Sequence, residues 1–154
     1  MIILDNFQIV FQLFLAALLG GLIGLEREYK GKEAGLRTYS LVALGTCLFT
    51  IISFGLFEFF IASPGIGIGY DPSRIIQAVA VGIGFIGAGV IFRQSSGVVG
   101  LTTAAGLWTT AAIGIAVGAK LYSLAALGTI FAFLILVGLG ILEEKIFKRK
   151  EGRQ

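Results

Sequence analysis

Seven charged side chains fall between Glu26 and Arg37, a third of the 21 in a chain of 154 residues: Glu26, Arg27, Glu28, Lys30, Lys32, Glu33 and Arg37. They follow directly on an apolar, glycine-spaced run, so that Gly20 to Thr38 reads GGLIGLEREYKGKEAGLRT. A carboxylate at the edge of an apolar run is partly desolvated and can hold a proton or a cation. A hard cation would need further oxygen ligands there, because one carboxylate holds it poorly. If this stretch is the turn of a helical hairpin, its two ends meet, and Glu26 or Glu28 is expected to pair with Arg37. The plain alternative is interfacial charge, in which the bases orient the chain in a membrane and the acids neutralise them.

A second constellation is DPSRIIQ, Asp71 to Gln77. Pro72 suits a first helical turn, with Asp71 capping the free backbone N–H groups. Arg74 and Gln77 follow at three-residue steps and predict a polar face toward a cleft at that end. Glu58 is a candidate partner for Arg74 or Lys120. Thr102, Thr103, Thr109 and Thr110 surround Trp108; threonine hydroxyls in helices often bond only their own helix carbonyls. Other chemistry is poorly represented. The chain has no His, which removes the usual proton shuttle and the commonest metal ligand. The single Cys, Cys47, lies in an apolar run and reads as a small buried hydrophobe. GIGFIG at Gly82 to Gly87 matches no complete phosphate-binding pattern. No hydrolase, P-loop or dinucleotide motif is present, so an enzyme is not expected.

The elements that carry these residues are set by hydropathy. The chain is 56% hydrophobic and 14% charged, with mean hydropathy +0.95; a soluble domain carries about a quarter charged residues. Lipid is therefore the expected solvent. Five spans of near-bilayer length are predicted: Phe7–Leu25, Thr38–Ala62, Ile75–Phe92, Thr103–Ala119 and Leu121–Leu142. Residues 1–142 form the membrane domain, and 143–154 a basic cytoplasmic tail. No basic leader or small-residue cleavage site precedes the first span, which is expected to be retained. Ten of the twelve basic residues fall after the first, third and fifth spans, leaving only Arg74 and Lys120 on the other side. The positive-inside rule then places the N-terminus outside and the C-terminus in the cytoplasm.

Glycine is frequent, 23 of 154, and lies inside the spans. Ala16, Gly20 and Gly24 are four apart, as are Ala78 and Gly82, and Gly84 and Ala88; Gly87 and Gly89 add to the third span. Such small-residue faces let helices approach closely, within one bundle or in a homodimer. The bulkier fifth span, with Phe131, Phe133 and Leu134 to Val137, suits lipid. A 65-residue offset aligns Gly24 with Gly89, Gly35 with Gly100, Leu36 with Leu101 and Thr38 with Thr103. Both copies read as helix, loop, then Gly-Leu-x-Thr opening the next helix, with the Thr as a cap and the Gly allowing a tight turn. This predicts a duplicated two-helix hairpin plus one helix; parallel repeats of this kind occur in transporters.

GGLIGLERE with AGLRT, then DPSRIIQAVAVGIGFIGAGVIF, then GLTTAAGLWTTAAIG, closely resembles the MgtC/SapB family of bacterial membrane proteins across Leu18 to Gly118. The resemblance implies a small cytoplasmic-membrane protein of about five spans. Characterised members are linked to growth at low magnesium and to survival inside macrophages, and contact with the membrane ATP synthase is one proposed mechanism. The family is not regarded as a primary magnesium transporter. Its characteristic charged positions correspond here to Glu26, Arg27, Glu28, Arg37, Asp71 and Arg74. The best-known virulence members carry a soluble C-terminal domain, whereas this chain ends about a dozen residues after Leu142. What transfers is the membrane core. The expected protein is an all-α integral membrane bundle without a cofactor and without nucleic-acid contacts. Its expected role is to modulate ion or energy homeostasis through a membrane partner or as a homo-oligomer, most simply a dimer. The alternative is a small transporter or channel.

Overall fold

The computed structural model describes residues 6–61, 71, 73–95 and 97–151. Ala62, Pro72 and Arg153, which entered the reasoning above, lie outside them. The element order is α1 (Asn6–Tyr29), α2 (Leu36–Ile61), α3 (Ser73–Gly89), β1 (Phe92–Gln94), β2 (Gly97–Val99), α4 (Leu101–Gly118), α5 (Tyr122–Leu134), a π-helical turn (Ile135–Leu139) and α6 (Gly140–Glu151). The expected all-α bundle is present. Four stretches are long and apolar enough to cross a membrane: Asn6–Tyr29, Leu36–Phe59, Leu101–Gly118 and Tyr122–Glu143. The fifth, α3, has 17 residues; at ~1.5 Å per residue it falls somewhat short of a bilayer core.

Helix ends differ from the hydropathy limits because backbone hydrogen bonding, not apolarity, terminates a helix. The first helix continues through Glu26, Arg27 and Glu28 to Tyr29, so the charges that seemed to form a loop belong to its last turn. It stops there because Gly31 adopts a left-handed conformation, φ 62°. That lets Gly31 N–H donate to Glu28 O at 3.0 Å and Lys32 N–H to Arg27 O at 3.0 Å, closing the last carbonyls. The third helix stops at Gly89, before the predicted Phe92. The nearly neutral stretch after it folds as an antiparallel β-hairpin, Phe92 opposite Val99 and Arg93 opposite Val98. The last helix runs past the expected boundary at Leu142, so the start of the basic tail is a helical continuation.

α4 is the central helix, more than half buried, in contact with α1, α2, α3 and α5. The seam between α1, α2 and α4 is built from small residues. A Cβ on Gly20 would stand 2.6 Å from Tyr39 O and 2.7 Å from Ala43 Cβ; one on Gly24 would stand 2.9 Å from Gly35 O. The expected packing role holds for these two. In α3 the chain itself supplies less: Gly82, Gly84 and Gly89 have none of the described residues within 4 Å, and Gly87 meets Ala104. Periodicity shows that small residues share a face but not whether that face meets another helix. As expected, α5 leaves Leu124, Leu127, Ile130, Phe131 and Leu134 exposed.

The 65-residue offset survives at one point: Leu36 and Leu101 are the first residues of α2 and α4. The predicted threonine caps do not form. Gly100, at φ 88°, occupies the cap position of α4 with no side-chain bond. The first turn of α2 is capped by Glu28, whose Oε2 accepts from Leu36 N–H at 2.8 Å. A carboxylate eight residues upstream supplies that cap because the hairpin turn brings it over the helix end, and Gly35 leaves room for it.

Candidate functional site at the charged end of the bundle

The end of α1, the following turn, the start of α2 and the start of α4 converge on one another. Glu26 and Arg27 are both buried, at 9% and 4% exposure. Glu26 Oε1 lies 2.9 Å from Lys30 Nζ one turn on, and Glu26 Oε2 lies 3.5 Å from Arg27 Nη1. The Lys30 contact is an ion pair without hydrogen-bond alignment, and Arg27 Nε is buried with no partner. Glu26 or Glu28 was expected to pair with Arg37; instead Glu26 takes Arg27 of its own helix and Lys30 just past its end, Glu28 takes a backbone N–H, and Arg37 is exposed. Helix geometry explains the outcome: Glu26 and Lys30 share a face at four-residue spacing.

Two contacts carry this end of the first hairpin across to the second. Thr103 Oγ1 donates to Glu33 Oε2 at 2.7 Å, and Tyr39 Oη donates to Thr103 O at 3.2 Å. Tyr39 is fully buried between helices, against Gly20 and Gly24 of α1 and Gly106 of α4. A Cβ on Gly106 would stand 2.5 Å from the Tyr39 hydroxyl. The Thr103 hydrogen bond, aided by a backbone N–H and by Lys32 and Arg27, holds the Glu33 carboxyl below its usual pKa. Glu33 and Lys30 were named in the charge cluster without a partner, and Tyr39 was not singled out from sequence. Tyr39 stands on α2 against Gly20 and Gly24 of α1, a contact visible only once those two helices are known to pack there.

Thr103, Glu26, Arg27 and Glu28 are thus brought together at this end, with Thr38 half-buried beside them; Arg37 and Thr102 are exposed. Asp71, Arg74 and Gln77 belong to the start of α3. Asp71 does cap there: its Oδ1 accepts from Ser73 N–H at 2.9 Å and its backbone O from Arg74 N–H at 3.2 Å, and the Ser73 bond lowers the carboxyl's pKa. Arg74 and Gln77 are exposed, and neither lines the cleft around Gln12, Glu58 and Lys120. Among the described residues Glu58 pairs with neither Arg74 nor Lys120, and Lys120 Nζ instead reaches Gln8 Oε1 at 3.4 Å. Thr109 bonds its own helix, Ala105 O, at 3.0 Å, as such hydroxyls do. Among the described residues no three His, Cys, Asp or Glu side chains come together to hold a metal ion.

A family model for the MgtC family matches residues 13–145, which include every element of this site. The chain belongs to the MgtC family. Known relatives agree. "Putative magnesium transporter YhiD" of Escherichia coli (strain K12) is 44% identical over 129 residues, covering 84% of this chain and 59% of that protein. "Protein SrpB" of Synechococcus elongatus is 40% identical over 156 residues, 95% of this chain and 82% of that protein. "Protein MgtC" of Brucella abortus is 42% identical over 120 residues, 78% of this chain and 46% of that protein. The chain thus spans about three-fifths of the length of the E. coli relative. No solved structure matches. Family membership and the long apolar helices together make this a multi-pass, α-helical membrane protein of the MgtC family.

Proposed function

We propose that this MgtC-family chain is a non-enzymatic protein of the bacterial cytoplasmic membrane that modulates ion or energy homeostasis when magnesium is limiting. It acts through a membrane partner or as a homo-oligomer, with its N-terminus outside and its charged end in the cytoplasm. The observation that carries this reading is how the charged end spends its polar groups. Glu28 caps α2, Glu33 and Tyr39 bind Thr103, and Glu26 is neutralised within its own helix. The bonds of Glu28, Glu33 and Tyr39 tie the first hairpin to itself and to α4, and the seam behind them is closed by glycine contacts too tight for a solute. The basic residues gathered at the same end support the orientation. The name of the E. coli relative favours the alternative, transport.

One pair of measurements separates the two. In a strain lacking the gene, growth in magnesium-limited medium should be impaired and restored by this chain, but not by Glu26→Ala or Thr103→Val. The purified protein in liposomes should pass no magnesium or monovalent cation above the empty-vesicle rate. Flux that vanishes in Glu26→Ala would overturn modulation in favour of transport.

A further inference from the structure

The opposite end of the bundle carries a cleft of about 190 Å³ lined by Gln12, Ile51, Phe54, Gly55, Glu58 and Lys120, together with the end of α4. Gln12 is fully buried. Its amide orientation is fixed, because Nε2 donates both hydrogens, to Val117 O at 2.9 Å and Gly118 O at 3.0 Å. Its Oε1 is therefore a committed acceptor, and among the described residues it has no partner. A buried acceptor without a partner is costly and rare in folded proteins. At the same cleft stand one carboxylate, Glu58, and one ammonium, Lys120, which do not pair with each other. None of these groups takes part in the site at the charged end.

The donor set selects the ligand. A divalent metal ion would find one carboxylate and one amide oxygen beside a fixed ammonium, too few oxygens and a repelling charge. A simple anion would have Lys120 but would face Glu58. A zwitterion matches both: a primary ammonium supplies the N–H donors that Gln12 Oε1 and Glu58 lack, and its anionic group meets Lys120. Ile51 and Phe54 supply apolar wall for a short carbon chain. We infer that this cleft binds a small zwitterion with a primary ammonium, such as the head group of an aminophospholipid or a free amino acid. The inference holds whether or not the protein modulates homeostasis as proposed above.

The test uses the full chain in phosphatidylcholine nanodiscs, titrated with glycine, phosphoethanolamine and short-chain phosphatidylethanolamine, and with their trimethylammonium counterparts. Thermal shift gives the affinity. The primary ammonium compounds should stabilise the protein saturably, and the trimethyl forms, which have no N–H, should not. A response to the free compounds identifies a soluble ligand; a response to the lipid alone identifies a head group. Glu58→Gln and Lys120→Asn, both at exposed positions, should each weaken binding about tenfold or more, the loss typical of a charged hydrogen bond. Gln12→Met is the less clean variant because it also cuts the tie between α1 and α4. Equal response to the methylated and unmethylated series, no response to either, or binding unchanged in Glu58→Gln and Lys120→Asn would overturn the site.

Discussion

Glu28 and Glu33 flank the same turn and do different work, which only their partners reveal. Glu28 closes the first turn of α2, so Glu28→Ala should destabilise the fold by about 1 kcal/mol, the usual value of a helix cap, as read from thermal unfolding in detergent. Glu33 reaches the second hairpin through Thr103. Its pKa in the folded protein lies below the ordinary 4.5, so its stabilising contribution is present above that value and is lost as pH falls through the lower, folded value. The contribution is modest because Glu33 is largely exposed and solvent-screened. Thr103→Val should return the Glu33 pKa toward 4.5, which carboxylate-selective NMR titration would show. A titration unchanged by Thr103→Val would remove the link between the hairpins at this point.

At the level of helices, glycines of identical sequence character divide by what lies opposite. Gly20 meets the backbone of α2, which cannot move aside, whereas Gly82 meets nothing. Gly20→Ala should therefore cost roughly 1–3 kcal/mol by overpacking. Gly82→Ala should be neutral or stabilising by up to about 1 kcal/mol, from the backbone entropy that glycine loses in a helix. Paired thermal melts would decide it, and equal effects would refute the division. Lys120 is a second asymmetry. It ends α4 in the left-handed conformation, φ 63°, with Lys120 N–H bonded to Val117 O and Leu121 N–H to Ala116 O, each within 2.9 Å. The left-handed conformation costs a residue with a Cβ roughly 1–2 kcal/mol. Part of that is offset in glycine by a looser unfolded state, so Lys120→Gly should raise stability by about 0.5–1 kcal/mol.

The molecule as a whole has two polar ends joined by a closed seam. Along α1 one buried face runs from Gln12 through Ala16, Gly20 and Ile23 to Arg27. The small residues in its middle bring α1, α2 and α4 close; Gln12 at one end fastens α1 to α4, and Arg27 at the other pairs with Glu26 of its own helix. If α3 crosses the membrane along with the four longer helices, tags placed before α1 and after α6 should be accessible from opposite faces of sealed vesicles. Labelling of both from one side would require α3, the short helix, not to cross.

Hydropathy alone located all five helices, since lipid demands long apolar runs with internally satisfied backbones. Sequence spacing placed the charge cluster, the Asp71 cap, the exposed face of α5 and the family motifs. Those are properties of composition, spacing and local bonding. It misplaced the partners of Glu26, Glu28, Arg37 and Thr103 and read the stretch after α3 without its hairpin. It passed over Tyr39 and Gln12. Glu26, Glu28 and the hairpin are settled by local geometry, whereas Tyr39 and Gln12 depend on which helix faces meet, a relation between residues 64 or more positions apart in Tyr39–Thr103 and Gln12–Val117. Sequence spacing fixes the face on which a side chain stands; only packing of the helices decides what stands opposite it.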